Sequence, residues 1–342
     1  MIESNLNEKN HVYIGTYTNH NDNGVYHAEY ENGTLYNLKQ YIKVQNPSYL
    51  TLMKEKNILY TVSERGDGAD VYAVYNQKVI NSLLNIPGRG LCHISLSPNG
   101  KYLFGACYDS GHIYSISIDE NGGFDKLISA FDHNEYNEIR KTKARAHCIK
   151  ATPDGKYVIV VDLGLDALIV YSLNNNGELN YKSHLTLKEG TGPRHICFNK
   201  NNPSIVYLIT EYSNELYTFI FDGNAGTLKY LNNVSSLPDG FKSKSAGAAV
   251  KVSPNGEYVA VSNRIERESG AISVFKIDKD NLPSQKRIVN SNGCFPRDFE
   301  FTPDSNYIIA ANQIACNLSV ISLESEKVNV YTVNGPTCVN II

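Results

Sequence analysis

The sequence predicts an all-β protein, a seven-bladed β-propeller closed by pairing of its N- and C-terminal segments. Three observations carry that prediction: a strand-turn-strand phrase recurs from end to end, no long amphipathic helix interrupts it, and the first copy lacks an opening strand that the last residues supply. The clearest copy is the stretch from Cys148 to Tyr171. It reads as a short strand (Ile149 to Ala151), a tight turn (Thr152-Pro153-Asp154-Gly155) and a β-branched run (Tyr157 to Val161). After Asp162-Leu163-Gly164 comes a third run, Ala167 to Tyr171. Pro presets φ for the turn and Gly accepts positive φ, so the turn has a stated mechanism.

Taken in order, Ser97-Pro98-Asn99-Gly100, Ser253-Pro254-Asn255-Gly256 and Thr302-Pro303-Asp304 repeat that turn, each ahead of an apolar run. A degenerate copy, Asn199 to Pro203, fills the widest gap, and two weaker copies come first, around HVYIGTYT and NILYTVSE. Seven copies over 342 residues make about 49 residues each, the size of a four-stranded propeller blade. A repeat that short cannot bury its own apolar face, so one domain spanning 11–342 follows, preceded by a polar segment, 1–10. Inner strands such as Pro47 to Leu52 open most copies, and the segment 336–342 has the same pattern with no copy left to open. It is expected to complete the first blade and remove two sheet edges. The polar segments 132–145 and 232–247 read as long loops, candidate walls of a site.

Composition narrows the function. Charged residues make up 20% of the chain and the net charge is −3, which offers no basic field for nucleic acid or an anionic membrane surface. No apolar run reaches the length of a membrane helix and the start lacks the apolar core of a secretion signal, so a cytoplasmic protein is expected. A monomer or weak homo-oligomer is the expected assembly. Seven cysteines without Cys-x-x-Cys spacing read as reduced, packed thiols, and no compact ligand motif calls for a metal or other cofactor.

Aligning the copies shows which side chains share a level of the ring. At the start of the inner strand the equivalent residues are Ser48, Cys92, His147, Arg194, Ala248, Arg297 and Thr337. Just after the second strand they are Thr16, Glu64, Cys107, Asp162, Glu211, Asn263 and Asn312, with Tyr17, Arg65, Tyr108, Arg264 and Gln313 beside them. Polar residues gather at these two levels while the strand interiors are apolar, the arrangement of a pocket at a channel mouth. Asp162 and Asn263 also suit turn capping, and Arg297 with Asp298 also suits inter-blade ion pairing. Glu211 follows the apolar run Ile205 to Ile209, where an ordinary surface glutamate is less expected.

The motifs Gly192-Pro193-Arg194-His195, Asp162-Leu163-Gly164, Ser262-Asn263-Arg264, Pro296-Arg297-Asp298-Phe299 and Ala311-Asn312-Gln313, at these spacings, resemble the seven-bladed lactonase propellers. That family includes propeller-type bacterial 6-phosphogluconolactonases and fungal carboxy-muconate cyclases. The likeness runs from about His11 to the C-terminus and takes in Gly15-Thr16-Tyr17-Thr18 and Asn46-Pro47-Ser48. It implies hydrolysis of a small phosphorylated or carboxylated lactone, most simply 6-phosphogluconolactone in the pentose phosphate pathway, at a site on Arg194, Glu211, His147 and Arg264. The chain departs from the family pattern at Thr210-Glu211-Tyr212, at Arg145 where a second His is common, and at Ile265 where a Gly is common. These departures bear on substrate shape.

Lactone opening needs a base for water, a donor for the oxyanion and a grip on the substrate. The candidate catalytic residues are therefore His147, Glu211 and Arg264, with either Glu211 or His147 as base. The candidate substrate-binding residues are Arg194, His195, Arg297, Asn263 and Gln313, with Arg194 and His195 on a phosphate or carboxylate. A muconate-type cycloisomerase, or a propeller that only binds a partner, remains open at this point.

Overall fold

The computed structural model describes residues 10–18, 24–136, 138–265 and 268–342. Residues 1–9 of the expected N-terminal segment lie outside the described residues, and Asn10 already belongs to the first strand. Among the described residues the strands form seven sheets of four, each consecutive in sequence except at closure. Blade 1 is ordered Pro336–Ile341, Asn10–Thr16, Val25–Glu31, Thr34–Ile42, so the C-terminal strand is its innermost member. Antiparallel pairing runs from Val12↔Ile341 to Gly15↔Cys338, as the sequence led us to expect.

Burial falls from the channel outward. The second strand of blade 5, Ile205–Thr210, is buried at every position, whereas the outer strand of blade 4, Leu179–Thr186, is mostly exposed. Seven apolar clusters hold the ring together, most of them lying between successive blades, so no blade owns a core of its own. No helix among the described residues is long and apolar enough to cross a membrane.

The repeated turn closes by side-chain bonds. In blade 4, Thr152 Oγ1 donates to Asp154 Oδ1 at 2.6 Å and accepts from the backbone N–H of Tyr157, while Gly155 takes φ +70°. Ser97, Ser253 and Thr302 repeat the bond to residue +2, and Ser305 takes the left-handed position that Gly holds elsewhere. These turns lie at the mouth opposite the candidate site.

Two of the expected loops are shorter than the sequence suggested. Strand Phe124–Asp132 and a 3-10 turn at His133–Glu135 occupy the start of 132–145. Likewise Thr227–Ser235 continues as strand through polar Asn232 and Asn233, and the next blade begins at Ala246. Both strands are the outermost of their blades, where one face meets water and polar residues cost nothing, so composition alone reads them as loops.

All seven cysteines are free, five of them buried, with Cys294 and Cys316 half-buried in loops of blade 7. Burial, then the neighbouring Glu64 charge, pushes the Cys92 thiol well above its usual range.

Candidate active site

One local device aims the candidate residues into the channel. In blade 4, Ala146 pairs with Asp162 and Cys148 with Val161, so His147 is an extra residue without a partner. The same shift leaves Cys92 extra in blade 3, Arg194 in blade 5, Arg297 in blade 7 and Thr337 in blade 1. A bulge re-aims the side chain it carries, so these five inner strands present their bulged residues at one mouth. Five of the seven residues that the aligned copies put at one level are these bulged positions; Ser48 precedes its strand, and Ala248 lies in a longer irregularity between Gly247 and Val250.

Two blades meet at Glu211. Arg194 Nε donates to Glu211 Oε2 at 3.0 Å, and Arg264 Nη2 reaches the same oxygen at 2.7 Å from blade 6. Arg194 Nη1 also donates to the Ala248 carbonyl at 2.5 Å, and Arg264 Nη2 to that of Gly247 at 3.1 Å. Gly247 makes this approach possible, because a Cβ there would lie 2.2 Å from the Thr210 carbonyl oxygen. Burial alone would raise the Glu211 carboxyl, but Arg264 and Arg194 outweigh it and hold it below the usual carboxylate range. Burial, then repulsion from Arg194, brings the Arg264 guanidinium down to about 10, still charged at neutral pH.

His147 stands on the neighbouring wall, 5% exposed, with Nδ1 4.0 Å from Cys92 Sγ. Its ring meets His195 edge-on at 5.1 Å and Tyr108 at 5.5 Å. His195 Nε2 lies 3.5 Å from Arg194 Nη1, which links the imidazoles to the Arg-Glu-Arg cluster. Burial, and next the Arg194 charge, pushes both His147 and His195 well below the ordinary imidazole range, so both rings are neutral at pH 7.

The residues after the bulges form a floor. His195 packs on His93 at 5.5 Å, and His93 on Tyr49 at 4.3 Å, across the channel beneath the mouth. His93 is likewise neutral, by burial first and then by Lys150. Holding three imidazoles neutral has a consequence for stability. Their folded pKa values lie below the unfolded value of 6.5, so the unfolded chain binds more protons in acid. No penalty exists well above pH 6.5, and one grows as pH falls below it. The melting temperature is therefore expected to be level from pH 8 to 7 and to drop steadily toward pH 5; a level profile across that whole range contradicts the neutral assignment.

The expected substrate-binding residues divide. Arg297 reaches the mouth, donating from Nη2 to Tyr17 OH at 2.8 Å and stacking over that ring, while Tyr17 donates to Glu64 at 2.9 Å. Tyr17 and Arg297 come from blades 1 and 7, so this contact joins two blades. Asp298 turns the other way and makes an inter-blade ion pair, 3.7 Å from Lys251 of blade 6. Gln313 is half-buried, and its buried Oε1 has no hydrogen-bond partner among the described residues.

Three expectations need correction. Asn263 is fully buried with its amide engaged by Ser236 and Ser273, so it pins the second strand to the preceding loop and does not reach the channel. Arg194 is 1% exposed and committed to Glu211 and Ala248, so it stands behind the carboxylate and not on the open wall where a phosphate would rest. His195 belongs to the floor. Asp162 is the structural member its capping geometry suggested, accepting from the N–H groups of Arg145 and Leu165 and from His133. The mouth also gathers Ser48, Glu64, Tyr17, Tyr108 and Cys92, which share the two aligned levels, and Arg145, which shares neither.

A profile described as Lactonase, 7-bladed beta-propeller, matches residues 11–340, nearly the whole ring. The chain belongs to the lactonase family of seven-bladed β-propellers. Within this family it is 32% identical over 325 residues to a 6-phosphogluconolactonase of Bacillus subtilis, covering 92% of this chain and 91% of that one. Among solved structures, a protein from Lactobacillus plantarum superposes with a TM-score of 0.85 at 25% identity, over 98% of this lactonase-family chain and 99% of that one. The periplasmic gluconolactonase PpgL of Pseudomonas aeruginosa superposes with a TM-score of 0.86 over 97% and 99% of the two chains; at 23% identity it speaks for the fold.

Proposed function

We propose that this lactonase-family propeller hydrolyses a sugar lactone, with 6-phosphogluconolactone as substrate and 6-phosphogluconate as product, a step of the oxidative pentose phosphate route. One observation carries the reading: a carboxylate-clamped guanidinium from Arg264 shares a channel mouth with a buried, neutral imidazole, His147. The Bacillus relative supports the substrate.

Water attacks the C1 carbonyl while neutral His147 accepts its proton. The oxyanion develops beside Arg264, whose position is held by Glu211 and by the Gly247 carbonyl before the substrate arrives, so little reorganisation is needed in the transition state. Collapse of the tetrahedral intermediate breaks the ring C–O bond. The imidazolium returns its proton to the departing ring oxygen, which becomes a hydroxyl, and the acid product ionises. Glu211 suits the clamp better than the base, because one of its oxygens serves two arginines.

The test is ring opening of freshly generated 6-phosphogluconolactone, and separately of the unphosphorylated lactone, followed above the spontaneous rate. Acceleration of the phosphorylated lactone supports the reading. No acceleration of either overturns it and favours a cyclase or a binding role for this mouth.

A further inference from the structure

With Arg194 committed behind Glu211, the reading of this mouth as a lactonase site leaves the substrate's anionic substituent without its expected partner. We propose that Arg145 recognises it, making this residue the determinant of phosphorylated over unphosphorylated substrates; the proposal rests on the lactonase reading for the position of the ring.

Arg145 is fixed from both sides. Its backbone N–H donates to Asp162 Oδ1 at 2.8 Å, and its carbonyl accepts from Leu163 N at 2.9 Å. Gly164 completes the seat: a Cβ there would lie 3.1 Å from Arg145 Cγ and 2.0 Å from the Lys143 carbonyl oxygen. The Asp162-Leu163-Gly164 motif thus builds a cradle for this residue.

The guanidinium projects from that cradle across to blade 3, with its central carbon 4.7 Å from the centroid of the Tyr108 ring. Stacking restricts the fork while leaving its in-plane N–H groups available, the geometry that binds phosphate oxygens in pairs. Among the described residues no carboxylate pairs with the Arg145 side chain. The other guanidinium groups of this mouth differ: Arg194 and Arg264 serve Glu211, and Arg297 serves Tyr17.

Placement agrees with the chemistry. Tyr108 touches both Arg145 and His147, so one aromatic ring separates the Arg145 cation from the proposed base. Arg145 is half-buried at the rim while His147 lies deeper, so a lactone whose carbonyl meets His147 and Arg264 extends its far substituent outward to Arg145.

The experiment compares the full-length protein with its Arg145→Gln and Arg145→Lys variants on the phosphorylated and unphosphorylated lactones, with calorimetric titration of 6-phosphogluconate and gluconate alongside. Loss of a charge-assisted pair is expected to raise KM for the phosphorylated lactone by about 10- to 100-fold in Arg145→Gln, with kcat and the unphosphorylated lactone little changed. Arg145→Lys, which keeps charge but loses the fork, should fall between. Equal losses on both lactones, or none on the phosphorylated one, overturn the assignment. Should the wild type open neither lactone, the lactonase reading fails on its own. Binding then decides Arg145: a preference for 6-phosphogluconate over gluconate that Arg145→Gln abolishes upholds it, and the absence of such a preference, or its survival in the variant, overturns it.

Discussion

A chain ending at Gly335 is expected to lose its cooperative fold. Residues 336–341 supply the inner strand of blade 1, where Cys338 and Val339 are buried almost completely. Three further bonds tie that strand to its neighbours: Thr337 Oγ1 to the Ser48 carbonyl, Asn340 Nδ2 to the Leu50 carbonyl, and Val339 N to Asp298 Oδ2. Removing it exposes the edge of Asn10–Thr16 and uncovers apolar surface on blades 2 and 7. Side-chain burial and ladder bonds of this extent are worth on the order of 10 kcal/mol, comparable to the whole stability of a domain. The truncated chain should show no cooperative unfolding at the wild-type melting temperature. Unfolding at an unchanged temperature would refute closure by this strand.

Glu211→Gln is expected to damage both stability and rate. The substitution keeps size but removes the charge that offsets two guanidinium groups, one of them 1% exposed. Breaking a buried pair by removing one partner leaves an uncompensated charge; with Glu211 retaining 16% side-chain exposure, a cost of about 3 kcal/mol is expected. The same loss frees Arg264 from its position beside the developing oxyanion, and kcat should fall about 10²-fold, the scale of losing one oxyanion donor. Calorimetry and steady-state rates on one preparation check both effects. A variant with the wild-type melting temperature and kcat would show that Glu211 clamps nothing.

Much of this molecule was legible because its repeat is. The Ser/Thr-Pro-Asp/Asn turns marked the blades, and the empty inner position of the first copy marked the closure. The alignment also found the levels that carry His147, Arg194 and Arg297. What it could not show was the bulge, since an extra residue in one strand is visible only against its partner. The out-of-phase polar residue in Ala146-His147-Cys148 or Pro193-Arg194-His195 was its one trace. Asn263 was misplaced for a related reason: it shares a level with Glu211, but its side chain turns into the blade to satisfy Ser236. Contacts made across blades, such as Arg145 over Tyr108 or Arg297 on Tyr17, join residues far apart in sequence and depend on ring geometry.

The central claim is that neutral His147 takes the proton of the attacking water, and His147→Gln tests it most directly. Gln fills much of the imidazole's space without its basicity, so the melting temperature and KM should stay near wild type. The rate of opening of freshly made 6-phosphogluconolactone at saturation should fall by about 10²-fold or more, the usual contribution of a general base. A His147→Gln protein that opens the lactone at the wild-type kcat contradicts the account.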